Sequence, residues 1–168
     1  MKLELKNIKV AAFASEETHC YEASLWVDGV RVGRVANEGH GGPDMLWLTD
    51  GGSVMETMRK INAWLSESDR GVAYKQECIE QFGGDGLTYD LEAWCSEQVN
   101  RWLLVQDMRK VMKKSLLWVG DDGEVYQSGL KGGAAVTAGV RKGAENMWPD
   151  RKWIRTAEEA ADAMGGGV

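Results

Sequence analysis

Residues 37–44, Asn-Glu-Gly-His-Gly-Gly-Pro-Asp, hold the side chains of this chain that are best suited to chemistry. They include His40, one of only two histidines, and the carboxylates Glu38 and Asp44. A carboxylate beside a histidine fixes which ring nitrogen carries the proton, as a general base or a metal ligand requires. The other histidine, His19, precedes the second predicted strand. It falls near the same end of the predicted hairpin as His40, which makes it a further candidate metal ligand.

The same loop also has an interpretation that involves no ligand, because its glycines allow turn geometry that other residues avoid. A pair of histidines at metal-ligand spacing is missing, and the sequence contains no nucleophile-elbow, zinc-protease or EF-hand pattern. We therefore expect no cofactor and favour a non-enzymatic protein. The alternative is a small metal-dependent or nucleotide-processing enzyme that uses Glu38, His40 and Asp44, with His19 as a further ligand.

Two other segments carry weaker signals. Residues 83–88, Gly-Gly-Asp-Gly-Leu-Thr, lead into a predicted helix whose free N–H groups would favour phosphate, but the P-loop lysine is absent and Asp85 would repel an anion. Basic residues gather towards the end of the predicted long helix, namely Arg101, Arg109, Lys110, Lys113 and Lys114. The helix dipole alone accounts for cations at this position. A nucleic-acid binder that uses Arg109, Lys110, Lys113 and Lys114 is therefore a third alternative, and its affinity would depend on salt.

Alternation of apolar and polar residues predicts four antiparallel strands, at residues 2–13, 21–27, 30–36 and 45–49. Asp28-Gly29 predicts a tight type I′ turn between the second and third strands, because both positions of that turn need a positive φ. The alternation changes parity near Lys6-Asn7, which predicts a β-bulge. These features indicate an antiparallel β-meander.

Helical spacing of apolar residues predicts helices at residues 54–67, 73–82, 89–113, 136–147 and 157–164. A Ser53–Glu56 capping box begins the first helix, and Thr88 is expected to cap the third. A second hairpin is predicted around Gly120–Gly123, with a short strand at Trp153-Ile154. The fold class is therefore α+β: an antiparallel β-meander covered by helices, one long central helix and a second small hairpin.

The length favours a single compact domain over residues 1–168, with a subdivision at the glycine-rich segment as an alternative. The two parts would be a ββββα part over 1–83 and an α-ββ-α part over 87–168. The predicted helix at 89–113 has a wide apolar face, which a two-sided core or a homodimer would cover equally well. The glycines at 165–167 predict a frayed tail.

The chain is acidic, with a net charge of −6, a pI of about 5.0 and eight tryptophans. Residues 1–87 hold fourteen Asp and Glu against nine Lys and Arg, which disfavours duplex nucleic acid as a partner. The three cysteines, Cys20, Cys78 and Cys95, form no disulfide framework, so a reducing cytoplasm is expected. The sequence holds neither an export signal nor an apolar run of membrane-spanning length.

The N-terminal run KNIKVAAFASEET at residues 6–18, followed by Asp28-Gly29 and by NEGHGG at 37–42, resembles small proteins encoded by bacteriophages and related mobile elements. The resemblance covers about the first 45 residues. It implies a phage origin and a bacterial cytoplasm, and it assigns no catalytic residue. Small acidic phage proteins of this kind often bind host machinery, including defence systems.

These observations lead to one principal expectation. The chain is expected to be a phage accessory protein that binds a host protein or ribonucleoprotein, such as an anti-CRISPR or another anti-defence inhibitor. The expected contacts are acidic side chains of the N-terminal half and an exposed tryptophan such as Trp47, with Glu38, His40 and Asp44 as further binding residues. An exposed acidic or aromatic patch is the structural requirement of this expectation.

Overall fold

The computed structural model describes residues 1–166, which divide into two compact units between Val99 and Asn100. The boundary between the units lies inside the longest helix, α3 (Leu91–Val111). It falls C-terminal to the glycine-rich segment at which the sequence suggested a subdivision. Two antiparallel sheets and five helices in this part of the chain confirm the α+β class.

The N-terminal unit contains the predicted four-stranded meander, in the order β1-β2-β3-β4. Its strands are β1 (Leu3–Val10), β2 (Tyr21–Val27), β3 (Val30–Asn37) and β4 (Met45–Leu48). Asp28 and Gly29 have φ values of 48° and 81°, as the type I′ turn requires. The register of β1 and β2 shifts between Lys6 and Lys9, and Asn7 has a φ of 56°, which confirms the bulge.

The first strand is shorter than predicted. It ends at Val10, because Ala11 turns away and residues 12–14 form a 3₁₀ turn. The Ala11 N–H donates to the Cys20 carbonyl, which closes the connection to β2. Phe13 therefore lies on a turn and not in a strand.

Two helices follow the sheet, α1 (Val54–Glu67) and α2 (Asp69–Phe82). The first has the predicted bounds, and the Glu56 N–H donates to Ser53 Oγ, which is the serine half of the predicted capping box, while the Glu56 carboxylate pairs with Lys60. The second begins earlier than predicted, because the Ser68 hydroxyl caps it by accepting the Gly71 N–H. In α3 the expected cap was wrong: Asp90 and not Thr88 accepts the Ala93 N–H, so the helix begins at Leu91.

One face of the meander is buried and the other is open. Alternate residues of β2 to β4 that point to the buried face are Tyr21, Ala23, Leu25, Val35 and Leu46. The helices of the same unit also bury side chains, namely Ile61, Leu65, Leu91, Cys95 and Val99. The opposite face presents Glu22, Arg34 and Trp47, each more than two-fifths exposed.

The C-terminal unit contains the predicted second hairpin, formed by β5 (Ser115–Val119) and β6 (Val125–Gly129), with β7 (Lys152–Ile154) on the other side of β5. Its helices are α4 (Ala138–Met147) and α5 (Ala157–Ala161). The final helix was predicted to reach Met164, but a π-turn replaces it at residues 162–166, where Gly165 has a φ of 82°. A 3₁₀ turn at Lys131–Gly133 precedes α4.

The core of this unit is small. Leu117, Ile154 and Ala160 form one buried cluster, and Val105, Ala157 and Ala161 form another. Met108 and Met112 pack against both clusters. The wide apolar face of α3 is thus buried in two stretches, Leu91–Val99 in the N-terminal unit and Val105–Val111 in the C-terminal unit.

No helix within residues 1–166 is both long and apolar enough to cross a membrane. The three cysteines are free thiols. The predicted frayed tail extends to Gly167, which lies outside the described residues.

Candidate functional site

The loop after β3 is organised by Asn37, whose side chain is 6% exposed. Its Oδ1 accepts hydrogen bonds from the Gly39 N–H and the Thr18 hydroxyl, both at 2.8 Å. Its Nδ2 donates to the Gly42 carbonyl and to Asp44 Oδ1, both at 2.9 Å. All four hydrogen-bonding positions of the amide are therefore filled by the chain itself. The hydrogen bonds of this one buried side chain therefore fix the conformation of the loop.

Gly39 fixes the loop against the connection between β1 and β2. Its carbonyl accepts the N–H groups of Glu16, Glu17 and Thr18, at 3.0, 3.0 and 3.3 Å. Gly39 has a φ of 89°, and a Cβ at this position would lie 2.1 Å from the Ala14 carbonyl oxygen. Only glycine fits this conformation and this approach. The two loops therefore form one hydrogen-bonded surface at this end of the sheet.

Asp44 points into the molecule. The Tyr21 hydroxyl donates to Asp44 Oδ2 at 2.5 Å, and Asn37 donates to Oδ1. Burial raises the pKa of Asp44, and the nearby Asp90 raises it further, while the two hydrogen bonds act in the opposite direction. Burial also raises the pKa of Tyr21 and of Cys95, which is fully buried nearby. These contacts make Asp44 an acceptor in a polar cluster of the core.

The predicted site residues do not share one cleft. His40 Nδ1 lies 3.2 Å from Glu16 Oε2, so its carboxylate partner is neither Glu38 nor Asp44. Within residues 1–166, no group of three His, Cys, Asp or Glu side chains has the arrangement that a metal ion would need. Glu38 is exposed and lines a groove on the open sheet face. Glu38 and Trp47 are the two candidate residues that this groove brings together.

The groove has a volume of about 500 Å³ and crosses all four strands of the meander. The side chains most relevant to binding along it are Lys9, Glu22, Arg34, Glu38, Met45 and Trp47. Cross-strand pairing explains their order: Lys9, Glu22, Ala36 and Met45 form one row, and Lys6, Ser24, Arg34 and Trp47 form the next. An aromatic ring, a methionine and charges of both signs therefore line one open concavity.

Arg34 contacts both Trp47 and Glu22 at the centre of this face. Its guanidinium carbon lies 4.1 Å from the centre of the Trp47 ring, and its Nη1 lies 2.9 Å from Glu22 Oε2. Trp47 is 42% exposed and Met45 is 37% exposed. A second ring on the same face, Trp26, lies under Lys6 Nζ, with 4.1 Å between the nitrogen and the ring centre. The cations orient the rings, and one side of Trp47 remains open to a partner.

The glycine-rich segment 83–88 serves as a turn. Gly83, Gly84 and Gly86 have positive φ values, and the Gly83 N–H donates to the Ile79 carbonyl at the end of α2. Tyr89, which follows, is buried, and its hydroxyl donates to Glu97. The geometry therefore agrees with a connection between helices.

The basic cluster of α3 is largely neutralised by ion pairs in the described part of the chain. Arg101 bonds to Asp162 at 2.6 Å, and Arg109 bonds to Glu158 at 2.7 Å. Lys110 bonds to Asp107 at 2.8 Å. Three of the five cations named from the sequence are thus engaged by carboxylates, which weakens their attraction for phosphate.

Sequence reasoning missed an aromatic cluster in the C-terminal unit. The Trp118 ring stacks on Tyr126 and meets Trp153 edge to face, each with 5.9 Å between ring centres. Arg151 lies 4.5 Å from the Trp118 ring centre and 5.0 Å from that of Trp148. Tyr126 and Trp153 are the direct cross-strand neighbours of Trp118. The sequence held a signal for Tyr126 alone, which falls opposite Trp118 once the Gly120–Gly123 turn is placed, whereas Trp153 comes from β7 on the other edge of β5.

Phe13 was also missed. It is 95% exposed, whereas the sequence pattern placed it in a strand. The signal for its exposure is the end of the apolar alternation at Ala11 and Ala12.

Comparison of the chain with protein-family models, with curated proteins and with solved structures found no match in any of the three.

Proposed function

We propose that this chain is a non-enzymatic binding protein that uses the open face of its four-stranded sheet to hold a protein partner. The observation that carries the proposal is the concavity of about 500 Å³ that exposes Trp47 and Met45 beside Arg34 on the four-stranded sheet. Tryptophan and arginine are the residue types that most often dominate binding energy at protein interfaces. Strand positions hold them in fixed places, so little order is lost on binding.

The charges around the groove support a protein and not a nucleic acid. Residues 1–99 hold seventeen Asp and Glu against nine Lys and Arg. On the groove itself, Glu22 and Glu38 accompany Lys9 and Arg34. A phosphate backbone would meet repulsion across this unit, whereas a protein surface with charges of both signs can complement it.

The partner we propose is a protein or ribonucleoprotein of a bacterial host, met in the cytoplasm. The supporting observation is the phage-like N-terminal sequence at residues 6–42, which includes the groove residues Lys9 and Glu38. An inhibitor of a host defence system, such as an anti-CRISPR, is the specific form of this proposal. The contacts of His40 and Asp44 do not favour the enzyme alternative, which stays a prediction, as does the nucleic-acid alternative.

Affinity capture from a bacterial lysate tests the proposal, with wild-type protein compared against Trp47→Ala. Trp148→Ala is the matched control, because Trp148 is 44% exposed and Trp47 is 42% exposed. We expect a stoichiometric host protein, retained by the wild type and by Trp148→Ala and lost by Trp47→Ala. A hot-spot tryptophan should weaken binding roughly thirtyfold or more when it is truncated.

Two results would contradict the proposal. One is the absence of any stoichiometric macromolecule on the wild-type protein. The other is equal retention by Trp47→Ala and Trp148→Ala. Elemental and nucleotide analysis of the same eluate addresses the enzyme alternative, which would gain support from a metal or nucleotide that is lost on His40→Ala.

A further inference from the structure

Phe13 is the most exposed large apolar side chain in residues 1–166, at 95%. It lies in the middle of the 3₁₀ turn Ala12–Ala14, between β1 and β2. A phenylalanine side chain buries a large apolar area when a partner covers it. Burying that area is favourable in free energy, and an exposed ring does not obtain this stabilisation. In the free chain the ring of Phe13 is left almost entirely in water.

The backbone under Phe13 is held by a dense set of hydrogen bonds. The Ala11 carbonyl accepts the Ala14 N–H at 3.0 Å and the Ser15 hydroxyl at 3.1 Å. Ser15 Oγ in turn accepts the Cys20 N–H at 2.9 Å. The Gly39 carbonyl holds the three following N–H groups, from Glu16 to Thr18. The ring is thus carried on an ordered support, which lowers the entropic cost of using it as an anchor.

The surroundings of Phe13 are acidic and continuous with the groove. Glu16 and Glu17 follow Phe13 on the same loop, and Glu38 lies on the loop that Gly39 ties to it. The Glu17 carboxylate lies against Gly41, so it also faces this end of the sheet. Ala11 and Cys20, at the two ends of the Phe13 loop, line the groove that contains Trp47. One surface therefore joins an exposed ring, the open sheet face and three carboxylates, of which Glu16 lies beside His40.

We propose that Phe13 is an anchor that inserts into an apolar pocket on a folded protein partner, and that the rim of this pocket is basic. The apolar pocket follows from the size and exposure of the ring, and the basic rim follows from Glu16, Glu17 and Glu38. The inference rests on the proposed function and specifies the kind of surface that the partner presents. The same carboxylates oppose a nucleic-acid partner at this position.

Site-specific photo-crosslinking in a bacterial lysate tests this inference. The photoreactive amino acid p-benzoylphenylalanine is placed at position 13 of the full chain, and in a second protein at position 82. Phe82 is the matched control, because it is also a phenylalanine of the N-terminal unit and is 71% exposed. We expect one discrete protein adduct from position 13 and none from position 82. Peptide mapping should place the adduct in an apolar pocket that has lysine or arginine at its edge.

The partner identified from the adduct is then purified in its free form and used for affinity measurements. We expect Phe13→Ala to weaken binding roughly thirtyfold, Phe13→Leu to stay within roughly threefold of wild type, and Phe82→Ala to change nothing. Glu17→Lys should slow association, because it reverses a charge that faces the basic rim. The folded state should tolerate all four changes, since the side chains are exposed.

The inference is overturned by equal adducts from both positions, by no adduct from position 13, or by an adduct on nucleic acid or on an acidic surface. It is distinguished from the proposed function by comparing two variants. If Trp47→Ala weakens binding and Phe13→Ala does not, the sheet-face proposal stands and the Phe13 anchor is wrong. If Phe13→Ala weakens binding and Trp47→Ala does not, the anchor stands and the groove is not the contact surface.

Discussion

Asn37 determines the shape of the loop that first suggested a site. Its amide makes four hydrogen bonds, and two of its partners, the Gly39 N–H and Asp44, would be left inside the molecule without it. A loop rich in glycine, histidine and acids can thus result from the needs of one buried side chain. The sequence could place these residues on a turn after β3. It could not reveal that Asp44 points inward, because that orientation depends on Tyr21, which lies 23 positions away.

Substitution of Asn37 by alanine tests this role. We expect Asn37→Ala to lower the free energy of unfolding by about 3 kcal/mol, because a carboxylate and a backbone N–H lose their buried partner. Urea denaturation of both proteins measures the difference. The neighbouring Glu38 is exposed, so Glu38→Ala is the control and should stay within about 0.5 kcal/mol of wild type. Equal effects of the two substitutions would show that the Asn37 network does not stabilise the fold.

Asp44 should make stability depend on pH in the direction opposite to most carboxylates. Its pKa is raised in the folded protein by burial first and by Asp90 as well, so the protonated form is favoured by folding. This contribution is fully present below the unfolded pKa, about 3.9, and is lost as the pH rises through the raised folded value. The groups that face Asp44 are Tyr21, Asn37, Asp90, Glu92 and Cys95.

The comparison with Asp44→Asn isolates this effect, since the amide does not titrate. We expect the stability of the wild type relative to Asp44→Asn to be greatest near pH 4 and to decrease towards pH 7. Urea denaturation at a series of pH values provides the measurement. A difference that instead grows as the pH rises would mean that the hydrogen bonds from Tyr21 and Asn37 outweigh burial, so that folding favours the ionised form of Asp44.

At the scale of elements, local signals were sufficient for the first helix and for the first hairpin. The bounds of α1 and the turn at Asp28-Gly29 follow from a capping box and from a dipeptide that accepts positive φ. The errors have both tertiary and local causes, the local ones being helix caps that the apolar pattern did not identify, such as Ser68 at the start of α2. Phe13 lies outside β1 because the Ala11 N–H donates to the Cys20 carbonyl and the chain turns there. Helix α3 begins at Leu91, whose N–H donates to Asn62 Oδ1, and Asp90 provides the cap.

The aromatic face of β5 to β7 gives a prediction at this scale. Arg151 lies within 6 Å of the ring centres of Trp118, Trp148 and Trp153, and it is exposed. We expect Arg151→Ala to lower the free energy of unfolding by about 1 kcal/mol, as an exposed cation–π cluster allows. Near-ultraviolet circular dichroism should change as well, because the three rings lose a common partner. Lys152→Ala is the control, and an identical effect of both substitutions would exclude a specific role for the guanidinium.

At the scale of the whole molecule, charge is divided between the two units. Residues 1–99 carry a net charge of −8, from nine Lys and Arg against seventeen Asp and Glu, and residues 100–168 carry +2, from eleven against nine. The sequence showed the excess of acids in the first half. It did not show which acids matter, because several of them pair within the fold, as Glu97 does with Arg70. The exposed acids beside Phe13 became visible only when the two loops were placed together.

Association with the proposed protein partner should therefore depend on salt in a specific way. Long-range attraction between the acidic unit and a basic rim raises the association rate, and salt screens it over about 10 Å at 0.1 M. We expect the association rate of wild type to fall roughly tenfold between 50 and 300 mM salt, with a much smaller change in the dissociation rate. Surface plasmon resonance with the captured host protein measures both rates. Glu17→Gln should slow association and flatten this salt dependence, whereas Trp47→Ala should speed dissociation and leave the dependence unchanged. An association rate that does not respond to salt, or that responds equally in Glu17→Gln and wild type, would mean that these carboxylates do not face a basic surface.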